Sequence, residues 1–461
     1  MKKKLVFIID SDLYIRNYFE TGVLKKLSKI YDIFFIFSDE VTNKKFIKKN
    51  KKFLGYYSFS NFKKRIYYLF NNILIWKYRK KSSSFIFRYH RLLNFQDFPI
   101  KMKSNKKKFS FKIFLIKLYV RLLSINFIFF LIKKILNNKY FLNKDVSVYL
   151  KKINPDLVIY PTNAFEPLVS EIPIICKLYK TKSFFLIDNW DNLSSKSILI
   201  NHPDYISVWG KQTANHANKI QNIPQKKILI GGTPRYDVFF QKRNLKFKNL
   251  YNKKKYILFL GTSLKFDEEK AVERINFILE KNKSFFNNCY LIYRPHPWRQ
   301  SQDLVNIKKL KKTIIDKQVI KNYLNLNFET SFQPNLNYYP SLLSNAEYVI
   351  GGLTSMMIEA LIFKKKYVAL TFNDKKNYTN QYVVAKYFSH FKEVKKIKSI
   401  SFQANISILS LEKKMKRIWL ERKNLDENLN RDIKYIINNG NHGYLNKIKE
   451  SLNQILNNAK N

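Results

Sequence analysis

"KLVFIID", residues 4–10, is an uninterrupted apolar run that stops on an acid. A strand with one wet face alternates apolar and polar residues. A strand buried on both faces does not, so this run reads as the inner strand of a parallel sheet. Asp12 follows as a helix N-cap, the helix is predicted to reach about Lys29, and "YDIFFIFSDE" (31–40) supplies a second strand. Strand, helix and strand at this spacing make a βαβ unit. The opening "MKKK" has the look of a signal peptide, but the apolar run is very short and meets Asp10 and Asp12, which favours the strand.

The same alternation resumes after Asn154-Pro155. "DLVIYP" (156–161), "SFFLIDNW" (183–190), "DYISVWG" (204–210) and "KILIGGTP" (227–234) read as further strands, giving about six, all predicted parallel. A helix over 167–180 carries a kinking Pro173. The polar, basic stretch 241–255 reads as a linker. A second α/β series begins at "YILFLGTS" (256–263) and includes a helix from about Asp267 to Lys281, "CYLIYRPHP" (289–297), "AEYVIGG" (346–352), a helix over 354–363 and "YVALTF" (367–372). The expected organisation is an N-terminal Rossmann-like domain over 1–240 with an insert at 41–140. The linker follows, then a second Rossmann-like domain over 256–400 and a helical tail over 401–461. A chain of 461 residues is long enough for two cores.

Lys and Arg number 86 against 33 Asp and Glu, a net charge of +53. Such a surface attracts anions: nucleic acid, anionic lipid or phosphorylated small molecules. The lysines are spread along the whole chain and form neither a recognisable nucleic-acid module nor a compact stripe. Coding bias toward Lys, Asn, Ile, Phe and Tyr accounts for most of the excess. Cys176 and Cys289 lie inside apolar runs and read as buried thiols in a reducing cytoplasm. Within the insert, "FKIFLIKLYVRLLSINFIFFLIKKILNNKY" (111–140) is strongly apolar, but Lys117 and Arg121 interrupt it. Its uncharged segment, Leu122 to Ile132, is too short for a bilayer core of ~30 Å. It reads either as an amphipathic helix lying on anionic lipid or as a core helix whose lysines snorkel outward.

Several strand ends carry chemistry. "GTSLK" (261–265) offers Gly261, Thr262, Ser263 and Lys265, and "GGLTSMMIEAL" (351–361) offers Gly352, Thr354 and Ser355, all suited to a phosphate beside backbone N–H groups. In "YRPHPWRQ" (293–300) two prolines fix the backbone around His296, with Arg294 and Arg299 as nearby charge. An imidazole so aimed can stabilise a leaving diphosphate. Glu359 lies one helical turn beyond Ser355 and could hold ribose hydroxyls. In "DNWDNLSSK" (188–196), Asp188 and Asp191 are candidate bases beside Asn189, with a capping role as the plainer alternative. In "GGTPRYD" (231–237), Arg235 could pair with Asp237 or meet a phosphate.

Two Rossmann-like halves facing a cleft resemble the GT-B fold. "YRPHP", "GGTPRYD" and "LTSMMIEAL" resemble the CDP-glycerol glycerophosphotransferase family and related bacterial surface-polysaccharide transferases. The resemblance covers roughly 1–40 and 150–380 and leaves the 41–140 insert unmatched. It implies a nucleotide-diphosphate-holding role for His296, Thr354 and Ser355. Where that family carries Trp-His-Gly, this chain reads Trp190-Asp191-Asn192. The missing histidine argues against a glycerophosphotransferase proper and suits an inverting sugar transferase with Asp191 as base. The first βα loop of such enzymes faces the acceptor, which implies acceptor roles for Asp10, Asp12 and Arg16. Asp10 and Asp12 are the reserve candidates for the base.

The resulting expectation is a metal-independent GT-B glycosyltransferase. It would move a sugar from a nucleotide diphosphate donor, a substrate and not a cofactor, to a surface glycan or lipid-linked acceptor. Its place would be the cytoplasm, peripheral to the inner membrane face, with anionic lipid and no specific nucleic acid among its partners. No Asp-x-Asp follows a strand of the second domain, so positive side chains and N–H dipoles must stabilise the leaving group. The rivals are a CDP-activated polyol-phosphate transferase, a nucleotide-sugar 2-epimerase and a non-catalytic membrane or nucleic-acid binder.

Overall fold

The computed structural model describes residues 2–43, 52–93, 106–296, 304–324, 337–424, 426–440 and 442–457. The chain forms two compact units, Met1–Pro234 with Tyr435–Asn461, and Arg235–Lys434.

The first unit holds β1 (Lys4–Ile9), β2 (Asp32–Ser38), β3 (Phe53–Tyr57), β4 (Leu157–Thr162), β5 (Lys182–Ile187), β6 (Tyr205–Val208) and β7 (Ile228–Ile230). Their order is β3-β2-β1-β4-β5-β6-β7, with every pairing parallel. β1 runs in register with β2 from Lys4↔Asp32 to Ile9↔Phe37. Its lack of alternation has the expected cause, because both faces are covered. Val6 and Ile8 pack with Leu168 and Ile172 of the helix Leu168–Leu178. Leu5, Phe7 and Ile9 pack on the other face with Tyr444, Ile448 and Leu452 of the helix Tyr444–Asn457. The 401–461 stretch is therefore not one tail. Its last helix completes the first core, while the strand Ile400–Gln403 and the helix Ile408–Glu421 belong to the second unit.

The segment after β1 also departs from the expected single helix. Ser11, not Asp12, is the N-cap, its Oγ accepting from Leu13 N at 3.2 Å. A π-helical turn over Ile15–Glu20 and Gly22 at φ 75° break the run.

The insert is not wholly helical either, since β3 adds an edge strand to the sheet. Helices Asn61–Lys77, Ser83–Leu93, Lys106–Leu123 and Asn126–Leu136 follow. Glu171, 0% exposed, pins this layer to the core. It accepts from Lys63 Nζ at 2.7 Å, Tyr67 OH at 2.6 Å and Asn143 N at 2.5 Å. A buried carboxylate tolerates its lost hydration only with such a donor set. Phe70 stacks on Phe129 at 5.4 Å, which joins the first and last of these helices. Among the described residues no single helix is long and apolar enough to cross a membrane; Phe114–Leu123 and Asn126–Leu136 meet at a bend of 79°.

The second unit holds β8 (Tyr256–Leu260), β9 (Tyr290–Arg294), β10 (Thr313–Ile315), β11 (Ala346–Gly351), β12 (Tyr367–Leu370) and β13 (Ile400–Gln403), ordered β10-β9-β8-β11-β12-β13 and all parallel. β10 and β13 escape the sequence reading because each is only three or four residues long. The 241–255 stretch is not a detached linker. Tyr251 OH donates to Asp316 at 3.0 Å, and Ser341 Oγ donates to Lys248 O at 2.8 Å, inside the second unit. Both cysteines are buried and unpaired.

In each sheet the strand order reverses once, between β1 and β4 and between β8 and β11. Ligands of open α/β sheets bind at the carboxyl ends of the strands flanking such a switch point.

Candidate functional site

In the second unit the switch point gathers three of the motifs singled out above. Gly261 follows β8, Gly352 follows β11, and His296 follows β9, the next strand over. The loops touch. A Cβ on Gly261 would lie 2.9 Å from His296 N and 3.0 Å from Pro295 Cα. One on Gly352 would lie 2.6 Å from Thr262 Cγ2, and one on Gly351 would lie 2.2 Å from Leu260 O. Glycine is required here for close backbone approach.

The Gly261–Lys265 loop is braced from beneath. Glu268, 5% exposed, accepts from Thr262 N at 3.0 Å and from Tyr293 OH at 2.6 Å. Gln381 accepts from Leu353 N at 2.6 Å and donates to Thr262 Oγ1 at 3.4 Å, bridging the two glycine loops. Ser263 and Lys265 remain exposed at the rim. Lys265 lines a cavity of about 250 Å³ with Glu269, Tyr293 and Asn377. Thr354 and Ser355 are half-buried just ahead of the helix Met356–Ile362, and His296 is half-buried at its corner.

Glu359 is 3% exposed; its Oε1 accepts from Arg235 Nη2 at 2.7 Å, and its buried Oε2 has no hydrogen-bond partner. Arg235 therefore meets Glu359. Arg294 is a correction. Its guanidinium is 3% exposed and is consumed by Asp316 Oδ1 at 2.6 Å, Gln318 Oε1 at 2.7 Å and Tyr339 OH at 3.0 Å. Buried and with three of its N–H donors spent on protein acceptors, Arg294 braces β9. Arg299 lies outside the described residues.

In the first unit the switch point is acidic. Asp10 ends β1, and Tyr160 OH donates to its Oδ2 while its buried Oδ1 has no hydrogen-bond partner. Burial, then the nearby Glu166 carboxylate, pushes the Asp10 carboxyl well above its usual range. Burial also holds the Tyr160 phenol far above its own range, so it stays a donor. Glu166 is saturated. It accepts from Tyr14 OH at 3.0 Å, Asn163 N at 3.0 Å, Thr162 Oγ1 at 2.6 Å and Phe165 N at 3.2 Å. Asp10 and Glu166 line a cavity of about 400 Å³ whose walls include Tyr57, Phe59, Tyr67 and Phe165, with Lys64 and Arg65 among its cations.

Asp39 and Glu40 line the same cavity, whereas the other acids singled out in the sequence make structural bonds. Asp12 accepts from Thr42 N at 3.2 Å, Thr42 Oγ1 at 2.5 Å and Asn43 N at 2.9 Å, tying down the loop after β2. Asp191, the expected base, is the N-cap residue of the short helix Asn192–Ser195, and its Oδ2 accepts from Ser195 Oγ at 2.8 Å. It does not line the cavity. Asp188, 6% exposed, accepts from Asn17 Nδ2 at 3.0 Å, and Asn17 Oδ1 accepts from Arg16 Nε at 3.3 Å. Asp188 thus couples the end of β5 to the π-helical turn that follows β1. Asn192 accepts from Asn189 N at 2.6 Å.

No protein-family model matches this chain, and no curated protein matches it. Solved structures do. A putative UDP-N-acetylglucosamine 2-epimerase from Listeria monocytogenes is similar over 98% of this chain and 96% of its own, at 10% identity and a TM-score of 0.54. CalG4, the calicheamicin glycosyltransferase, is similar over 99% and 98%, at 8% identity and a TM-score of 0.50. The UDP-GlcNAc 2-epimerase of Methanocaldococcus jannaschii is similar over 98% and 99%, at 13% identity and a TM-score of 0.50. The fold is GT-B.

Three residues at these strand ends escape sequence reasoning. Glu166 sits in "TNAFEP" directly after β4, and an acid at that switch-point position is the signal that could have found it. Tyr160 reads only as strand, and Glu268 only as a first-turn acid.

Proposed function

We propose that the chain transfers a sugar from a nucleotide diphosphate donor to a hydroxyl acceptor, with inversion and without a metal. The observation that carries this reading is Asp10. One of its oxygens is held by Tyr160 and the other is buried without a partner, in an aromatic-walled cavity at the end of β1. A buried acceptor left unmatched is costly, and an acceptor hydroxyl would supply the missing donor. A carboxyl raised above its usual range is also a base poised nearer neutral pH. Aromatic walls suit the apolar faces of sugar rings.

In the reaction, the acceptor oxygen attacks the anomeric carbon as Asp10 takes its proton. The bond to the diphosphate breaks and its electron pair leaves with the diphosphate. His296, Lys265 and the N–H groups of the glycine loops would receive that charge, with Thr354 and Ser355 as hydroxyl donors. Glu359, with one free buried oxygen, would take a ribose hydroxyl. The acceptor in this reading is a surface glycan or its lipid-linked precursor, handled at the inner membrane face.

The competing 2-epimerase reading draws on Asp10 and Glu166 sharing one cavity, as an acid–base pair would. Four donors on Glu166 argue against it, because they already fill its acceptor sites. A polyol-phosphate transferase is separated by its donor. The deciding experiment is a melting-temperature panel of nucleoside diphosphates, followed by incubation of the stabilising nucleotide's sugars with and without acceptor. Turnover only with acceptor is expected. Interconversion of free nucleotide sugars without acceptor overturns the transferase reading.

A further inference from the structure

The helices Lys106–Leu123 and Asn126–Leu136 are apolar on both sides. The inner side is satisfied. Val120, Phe129 and Leu136 are buried, and Lys77 Nζ ties down the turn through Ser124 O at 2.9 Å and Asn126 Oδ1 at 2.6 Å. The outer side is not. Phe111, Phe114 and Leu118 are 64%, 59% and 43% exposed, at the i, i+3, i+7 spacing of one helical face. Phe127, Phe130 and Ile135 are 70%, 61% and 60% exposed on the second helix. A surface helix of a globular unit normally turns polar residues outward, and large apolar side chains exposed along two successive helices mark a partner site.

Charge selects the partner. Between residues 106 and 139 there are nine Lys and Arg and no Asp or Glu. A second copy of the chain would bring this cationic face against itself. An anionic bilayer offers both acyl surface and countercharge. The bend of 79° keeps the pair from acting as one straight span, and interfacial helices lie flat with aromatic and aliphatic side chains sunk at the headgroup boundary.

We propose that the outer face of the 106–136 helix pair docks on an anionic lipid bilayer, with the phenylalanines inserted and the flanking cations on the headgroups. This deepens the reading of a membrane-face enzyme but is independent of donor chemistry. Its test uses no nucleotide, so its failure leaves the transfer reaction untouched.

The experiment is co-sedimentation of the full chain with vesicles of phosphatidylcholine, alone or mixed with phosphatidylglycerol, at low and high salt. Binding to the mixed vesicles only, weakened by salt, is expected. The double variant Phe127→Ser/Phe130→Ser should lose about tenfold or more of that partitioning with an unchanged melting temperature. Lys133→Gln/Lys134→Gln should lose the preference for anionic lipid. Leu420→Ser, at a 70% exposed leucine elsewhere on the chain, should bind as wild type. Equal binding by wild type and the Phe127/Phe130 variant overturns the proposal. So does concentration-dependent self-association that the same variant abolishes while vesicles bind nothing.

Discussion

The two switch points share a topology and differ in chemistry. Between β8 and β11 the strands end in glycine, hydroxyl residues and a proline-fixed histidine, and the loops press together until no Cβ fits. Between β1 and β4 they end in carboxylates, tyrosines and a cavity of about 400 Å³. The first arrangement has the chemistry the proposed diphosphate needs. The second has the chemistry the proposed hydroxyl acceptor needs. One βαβ scaffold serves both because the sheet fixes only where strand ends converge, while the loop residues decide what converges there.

The sharpest way to break this contrast is Asp10→Asn. It keeps the size and removes the basicity, and turnover is expected to fall roughly 10²–10⁴-fold with donor binding intact, read from initial rates and nucleotide titration. Wild type should also need a pH above the ordinary carboxylate range before its rate plateaus, since burial raises Asp10. The stability sign is the opposite. Asp10 favours the fold while protonated, and that contribution is lost as pH rises through its raised value. Asp10→Asn should therefore gain stability over wild type with rising pH, in melts across that window.

Arg294→Ala probes the other unit. Removing one partner of a buried, hydrogen-bonded pair leaves Asp316 uncompensated, and a loss of about 3–5 kcal/mol is expected in denaturant unfolding. If Arg294 held phosphate instead, the folded variant would show a raised donor KM with little change in stability. His296→Ala should lower turnover by about 10²-fold, as for loss of one positioned donor at a developing anion. An unimpaired variant would reduce the "PHP" corner to a turn. The smallest effect belongs to Asp191→Asn. Asn keeps the size and an oxygen that can still accept from Ser195 Oγ, so melting temperature and initial rate should stay near wild type. A large loss of rate there would return the base to Asp191 and dissolve the contrast.

Local pattern made the parallel sheets legible from the chain alone. An unalternating apolar run means burial on both faces wherever it occurs, and the loop that follows it must lie at a sheet edge. That logic located β1, β2 and the glycine and histidine motifs of the second unit. It missed β3, β10 and β13, whose three to five residues are too short for a periodicity. It also misread the chain's end, because nothing in the helix Tyr444–Asn457 shows which sheet its apolar face will cover. The division of labour among the charged residues was decided only by the tertiary structure. Asp10, Asp12, Asp188 and Asp191 look alike as strand-end acids, yet Thr42 and Asn43 hold Asp12, Asn17 holds Asp188, and Asp191, bonded by Ser195, stands outside the aromatic-walled cavity that Asp10 lines. Asp10 keeps an oxygen open because its partner Tyr160, 150 residues away, reaches only the other one. Arg294 is lost to Asp316 for the same kind of reason. Composition and spacing state which groups a loop carries; long-range hydrogen bonds, formed when the sheets close, decide which of them remain available for chemistry.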